Sequence, residues 1–150
     1  MRLFPVLAFG TLLVSCVEAY EPDVGSLQNA PCSNEDTDPD VDVSFRDEIL
    51  PLVLNPEPLG CLQCHAPNAP TSFGFEVSGL DLSSLDTARR GGRNSDGIAI
   101  VPGQPCESVV YQKVSPAPPF GARMPLGGPY LSESILQLIH DWIAEGANDN

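Results

Sequence analysis

The apolar positions fall into a few short helical stripes, separated by long stretches of Pro, Gly and small polar residues. The clearest stripe is the last. Ile135, Leu138, Ile139, Trp142 and Ile143 recur at three- and four-residue spacing, which puts them on one helical face. Ser132 stands at the cap position, Leu131 and Leu136 are spaced as a hydrophobic staple, and Gly146 supplies a stop. An earlier stripe of Phe45, Ile49, Leu50, Leu52 and Val53 follows Ser44, with Asp47 placed as in a capping box. Pro51 lies inside this stripe and predicts a kink, and Pro56 and Pro58 predict its end. Shorter helices are expected from Ser83 or Ser84 to Arg90, stopped by Gly91-Gly92, and from Cys106 to about Val114, started by Pro105. Val101-Pro102-Gly103 reads as a turn, and residues 66–79 and 115–131 read as loops. No strand pattern and no internal repeat stands out. The expected fold class is mostly α, a small helical domain with long Pro/Gly-rich loops.

The N-terminal pattern is different. Met1-Arg2 gives a minimal positive start and Leu3 to Val14 an apolar run, too short for a comfortable membrane span. The run ends in Leu13-Val14-Ser15-Cys16, which resembles a bacterial lipobox whose cysteine is lipidated and becomes the mature N-terminus. Val17-Glu18-Ala19 is a competing cleavage site. The expected division is a lipoprotein-type signal peptide at 1–15, an acidic flexible tether at 16–43, and a folded domain at 44–150. Cys16 is the candidate lipid anchor. The expected location is outside the cytoplasm, in a bacterial periplasm or at the cell surface.

Charge sharpens that division. The chain of 150 residues has a formal charge of −13. Residues 17–44 hold eight acidic residues and no basic one, and residues 45–150 hold twelve acidic and six basic. Most of the negative charge therefore sits on the tether, where it favours a solvated, extended chain. No basic patch exists to neutralise phosphates, which argues against nucleic acid. The 16 prolines and 13 glycines point to a loop-rich domain that needs a covalent or cofactor staple.

The cysteines supply candidates for such staples. Cys61-Leu62-Gln63-Cys64-His65 fits the C-x-x-C-H pattern of haem attachment. Cysteines at i and i+3 share one face of a helical turn and can reach two vinyl groups on one porphyrin edge. The next residue, His65, then places its imidazole under the iron. A zinc site needs four ligands, and the chain offers only one further histidine, His140. A thioredoxin-like pair needs a βαβ setting that the pattern lacks. With Cys16 lipidated or removed, Cys32 and Cys106 are left over, a natural disulfide pair in an oxidising compartment. The alternative is two unpaired thiols. For the second axial position Met124, in Arg123-Met124-Pro125, offers a thioether, with His140 as the rival. Tyr130 and Trp142 are possible haem contacts or core aromatics. Arg90, Arg93 and Arg123 could face propionates or solvent.

The ordered set of short stretches resembles the planctomycete-type cytochrome c domain, related to class I cytochromes c. The stretches are Ile49-Leu50-Pro51-Leu52-Val53, the C-x-x-C-H motif with Ala66-Pro67, Gly79-Leu80-Asp81-Leu82-Ser83, Arg90-Gly91-Gly92, Ile100-Val101-Pro102-Gly103, Arg123-Met124-Pro125 and Trp142-Ile143-Ala144-Glu145-Gly146-Ala147. The resemblance implies a mostly helical fold whose first and last helices cross beside one covalently attached haem c, with His65 proximal and Met124 distal. Cys106 departs from the polar residue expected there, in keeping with a private bridge to Cys32. The expected activity is one-electron transfer to and from redox partner proteins, not catalysis. The alternatives are a haem enzyme or gas sensor with a dissociable distal Met, and a haem-free, disulfide-linked surface lipoprotein.

Overall fold

The structure, a computed structural model, describes residues 32–55, 60–95 and 99–150. The signal peptide, Cys16 and the tether up to residue 31 lie outside the described residues, as do Pro56 and Pro58. Helices carry the fold, and no strand occurs among the described residues. A π-helix spans Phe45–Leu54, followed by α1 (Phe73–Ser78), α2 (Leu85–Arg90), α3 (Val109–Val114) and α4 (Glu133–Ala144). Two short 3₁₀ turns, Cys61–Gln63 and Pro105–Glu107, precede α1 and α3.

The predicted stripe at the start of the domain forms one continuous helix with Pro51 inside it. Ser44 caps it, with its hydroxyl accepting from Asp47 N at 3.1 Å. The winding is wide: Ile49 N donates to Ser44 O at 3.1 Å and Asn55 N to Leu50 O at 2.9 Å, both five residues back. Pro51 has no N–H to give, and its ring would meet the carbonyl four residues back in an α-helix. The wider π-winding accommodates it without a break.

α4 behaves as its periodicity requires. The Ser132 hydroxyl accepts from Ile135 N, and Leu136, Ile139, Trp142 and Ile143 are buried. Its buried face packs on the π-helix, where the Phe45 and Trp142 rings stack with centroids 5.5 Å apart. Ile49 and Ile143 are among the largest fully buried side chains, so the crossing of the first and last helices is the centre of the core. α2 begins with a full capping box between Ser84 and Thr87 and adds Leu85 and Ala88 to the same core.

Two elements depart from expectation. The helix expected from Cys106 to Val114 is divided at Ser108, which is extended and wholly buried. Its hydroxyl accepts from Val101 N at 2.8 Å and donates to Gln104 O at 3.0 Å, so the side chain ties the preceding turn at the cost of helical continuity. Inside the expected loop 66–79, α1 forms a short helix that buries none of its residues.

The segment 32–43 lies along α4. Cys32 and Cys106 form the expected disulfide, with Cα atoms 5.8 Å apart. Asn34 Oδ1 accepts from Cys106 N at 2.9 Å, Thr37 N and Oγ1 both donate to Asp141, and Val43 N donates to Glu145 Oε2 at 2.7 Å. The acidic side chains Glu35, Asp38, Asp40 and Asp42 are exposed. Their segment is nevertheless docked over these residues, because α4 offers carboxylates to its backbone N–H groups.

Candidate cofactor site at Cys61, Cys64 and His65

The C-x-x-C-H motif occupies a single tight turn. Cys64 N and His65 N both donate to Cys61 O, at 3.2 and 2.9 Å, which stacks the two cysteines one turn apart. Neither is in a disulfide. Their settings differ. The Cys61 sulfur lies 3.4 Å from Val53 O and lines a cavity of about 30 Å³ in the core. Phe45, Ile49, Leu82, Ile100 and Trp142 share that lining, which is apolar throughout. Burial pushes the Cys61 thiol up to about 11. It is therefore a neutral thiol at physiological pH, unlike the low-pKa thiolate of a dithiol redox pair. Cys64 is exposed, with its sulfur 3.2 Å from the Thr71 hydroxyl, which donates to Gln63 O at 2.6 Å.

His65 is held by its backbone. Its carbonyl accepts from Leu82 N at 2.8 Å, and the neighbouring Cys64 carbonyl accepts from Phe75 N at 2.8 Å. The ring is largely enclosed. Nδ1 is buried and has no well-formed hydrogen bond. Burial lowers the ring's pKa, against a smaller opposing effect of the Leu80 backbone. The other ring nitrogen faces Gly74 in α1. A Cβ at Gly74 would sit 2.8 Å from both Nε2 and Cε1 of His65 and 3.0 Å from Cys64 O. Only glycine leaves that space beside Nε2.

These features fit a haem. Two thiols one turn apart suit two thioethers, and an adjoining half-buried imidazole suits an axial ligand. The side chains beside Cys61 have the apolar chemistry that a porphyrin face requires, but the cavity of about 30 Å³ they enclose is far smaller than a haem, so they would have to part to admit one. Leu80 supplies the backbone beside the His65 ring.

The other candidate residues are spread around the domain. Met124 is half-buried at the margin of the core, on the loop after α3. Its backbone N donates to Lys113 O at 2.7 Å. The two candidate axial residues thus sit in separate settings, His65 beside α1 and Met124 beside the end of α3. Trp142 is a core residue whose Nε1 donates to Asn148 O at 3.0 Å, and it lines the cavity with Cys61. Tyr130 is exposed, with the Arg123 guanidinium 4.4 Å from its ring centroid. Arg93 donates to the Glu76 and Val77 carbonyls at the end of α1, and Arg123 Nε donates to Val114 O at 2.8 Å. Arg90 is exposed.

His140, the rival axial candidate, lies on the packed side of α4. It is buried, with Nδ1 at 2.9 Å from Asp141 Oδ1 and Nε2 at 2.7 Å from Ser33 O. Nε2 holds the 32–43 segment through Ser33 and Nδ1 is taken up by Asp141, which leaves neither ring nitrogen for a metal. Sequence reasoning missed two further residues. Gly74 carried no signal, because a lone glycine in a loop-like stretch is unremarked. Lys113 carried only the weak one of a basic residue in the last turn of a short helix.

A helical domain folded around a C-x-x-C-H turn with an enclosed histidine defines the class of c-type cytochromes. Residues 61–125 match the family described as Planctomycete cytochrome C, which supports a planctomycete-type cytochrome c domain there. No curated protein and no solved structure matches the chain. The family implies a haem c cofactor and an electron-transfer role. Cytochrome c domains are typically extracytoplasmic, and no helix among the described residues is long and apolar enough to cross a membrane.

Proposed function

We propose that the chain is a single-haem, one-electron carrier that works outside the cytoplasm, tethered to a membrane through a lipid on Cys16. The observation that carries this reading is the paired setting of Cys61, turned into an apolar core, and His65, a half-buried residue whose Nδ1 is enclosed without a well-formed hydrogen bond. Cys61 and Cys64 would form the thioethers, His65 the proximal bond and Met124 the distal one. When bound, haem supplies reversible Fe(III)/Fe(II) cycling.

The protein's own contribution is placement and exclusion. The turn at Cys61 fixes the direction of the His65 ring through the backbone bonds on both sides of it. Gly74 lets α1 approach the His65 ring without a side chain pressed against Nε2. The stacked pair Phe45 and Trp142 keeps water from the adjoining core. A histidine and a thioether fixed in advance leave little to rearrange when the charge changes. They also leave no open coordination position for a small ligand, which separates a carrier from an enzyme or gas sensor. Redox proteins are the partners this activity requires.

The test is the absorption spectrum of the exported protein, oxidised and reduced, for wild type and Met124→Ala. The expected result is a c-type haem spectrum with a weak red Met–iron band that disappears in the variant. A c-type spectrum unchanged by the substitution would remove Met124 from the iron. A colourless protein from a host with working haem attachment machinery would remove the cofactor.

A further inference from the structure

We infer that Lys113 is a positioning residue that clamps the Met124 loop to the end of α3. This inference rests on Met124 being the distal ligand. The loop from Ser115 to Pro125 is rich in Pro and Gly, and most of its residues are exposed. It has little buried surface of its own to hold a shape, so its order has to come from hydrogen bonds.

Lys113 supplies those bonds from both of its ends. Its backbone carbonyl accepts from Met124 N at 2.7 Å. Its ammonium donates to Phe120 O at 3.0 Å and to Ala122 O. The same nitrogen lies 5.3 Å from the centroid of the Phe120 ring. Gly121, between the two carbonyls, has φ +58°, and a Cβ there would come within 3.2 Å of the ammonium. The left-handed residue turns both neighbouring carbonyls toward one cation. Arg123 adds a second tie, its Nε donating to Val114 O at 2.8 Å. The loop is therefore folded around a side chain from the helix that precedes it, and Met124 is the next residue but one after the last carbonyl so held.

Charge-assisted hydrogen bonds of this kind are stronger than neutral ones. Cutting them frees the loop without touching the core, since Val114 and the α3–α4 packing do not depend on the ammonium. A freed loop lets Met124 leave its position more often, which exposes the distal side to external ligands.

The experiment uses the haem-loaded protein and its Lys113→Gln, Lys113→Leu and Lys113→Arg variants. It measures the intensity of the Met–iron band and the rate of cyanide binding to the oxidised form. Lys113→Leu keeps an apolar stem over Phe120 and drops only the donors, so it reports if the Gln variant fails to fold. The expected result is cyanide binding at least fivefold faster in Lys113→Gln and Lys113→Leu, a weaker band, and rates within twofold of wild type in Lys113→Arg. Rates in the Gln and Leu variants less than fivefold above wild type would overturn the positioning role while leaving Met124 ligation intact. A Met124→Ala protein with an unchanged band would instead overturn the ligand assignment on which the role rests.

Discussion

Replacing both bridge cysteines, as Cys32→Ser/Cys106→Ser, isolates what the disulfide contributes to a domain of this size. The two residues are 74 apart in sequence, so the bridge closes a loop that runs from the first described residue to the short turn before α3. In the chain-entropy account, closing a loop of that length lowers the entropy of the unfolded chain by about 15 cal/mol/K, or about 4.5 kcal/mol of stability at room temperature. The folded side loses less. Asn34, Thr37 and Val43 keep hydrogen bonds to Cys106, Asp141 and Glu145 that do not need the sulfurs. The predicted loss is therefore about 4 kcal/mol, a large share of the 5–15 kcal/mol that holds an ordinary domain. Urea unfolding of the wild-type and doubly substituted proteins, both in the same haem-loaded state, measures it. A loss below about 1.5 kcal/mol would refute the reasoning and show that the unfolded chain is already compact without the bridge.

Two other perturbations test the polar contacts around the core and the site. Asp141 accepts from Thr37 N, Thr37 Oγ1 and Gln137 Nε2 and faces His140 Nδ1. Burial alone would raise its pKa, but the hydrogen bonds from His140 and Thr37 outweigh it and hold the carboxyl below its ordinary value. A depressed carboxyl contributes stability that is complete above its unfolded pKa, about 4, and is lost as pH falls through the folded value. The stability difference between wild type and Asp141→Asn should thus be largest near neutrality and shrink below about pH 4; a difference constant with pH would contradict this. Glu145 titrates nearby with its pKa raised by burial, so Glu145→Gln belongs in the same series as a control. Gly74→Ala sets a helix-propensity gain of about 1 kcal/mol against a Cβ placed 2.8 Å from Nε2 and Cε1 of His65. The clash should win, since overpacking costs about 1–3 kcal/mol. The expected outcome is a lower yield of haem-loaded protein and shifted His65 ring resonances; unchanged yield and resonances would show that α1 gives way freely.

What could be read from the chain was the part governed by periodicity and by short local signals. α4 followed from Ile135, Leu138, Ile139, Trp142 and Ile143, because burying one face of a helix imposes that spacing. A cap at Ser83 or Ser84 and a stop at Gly91 followed from local chemistry, and the structure places the cap at Ser84. The stripe from Phe45 was legible as a helix, but its π-winding was not, since Pro51 signals a conflict without saying how the backbone resolves it. α1 was invisible because it buries nothing and so has no face to pattern. The docking of residues 32–43 was also hidden. Their composition is that of a solvated linker, and the side chains that dock their backbone, Asp141, His140 and Glu145, lie far along the chain. In the site, the C-x-x-C-H spacing marked Cys61, Cys64 and His65 at once. Gly74 and Lys113 act on neighbours far along the chain, through contacts that no local pattern encodes.

The most direct measurement is denaturing extraction of the exported protein with acidified organic solvent, followed by intact-mass analysis of wild type and Cys61→Ser/Cys64→Ser. Covalent attachment at the motif predicts that wild type keeps its colour in the protein fraction and carries the mass of one haem, while the double variant carries none. Haem that leaves wild type with the solvent, or wild-type protein found at the bare polypeptide mass, would contradict it.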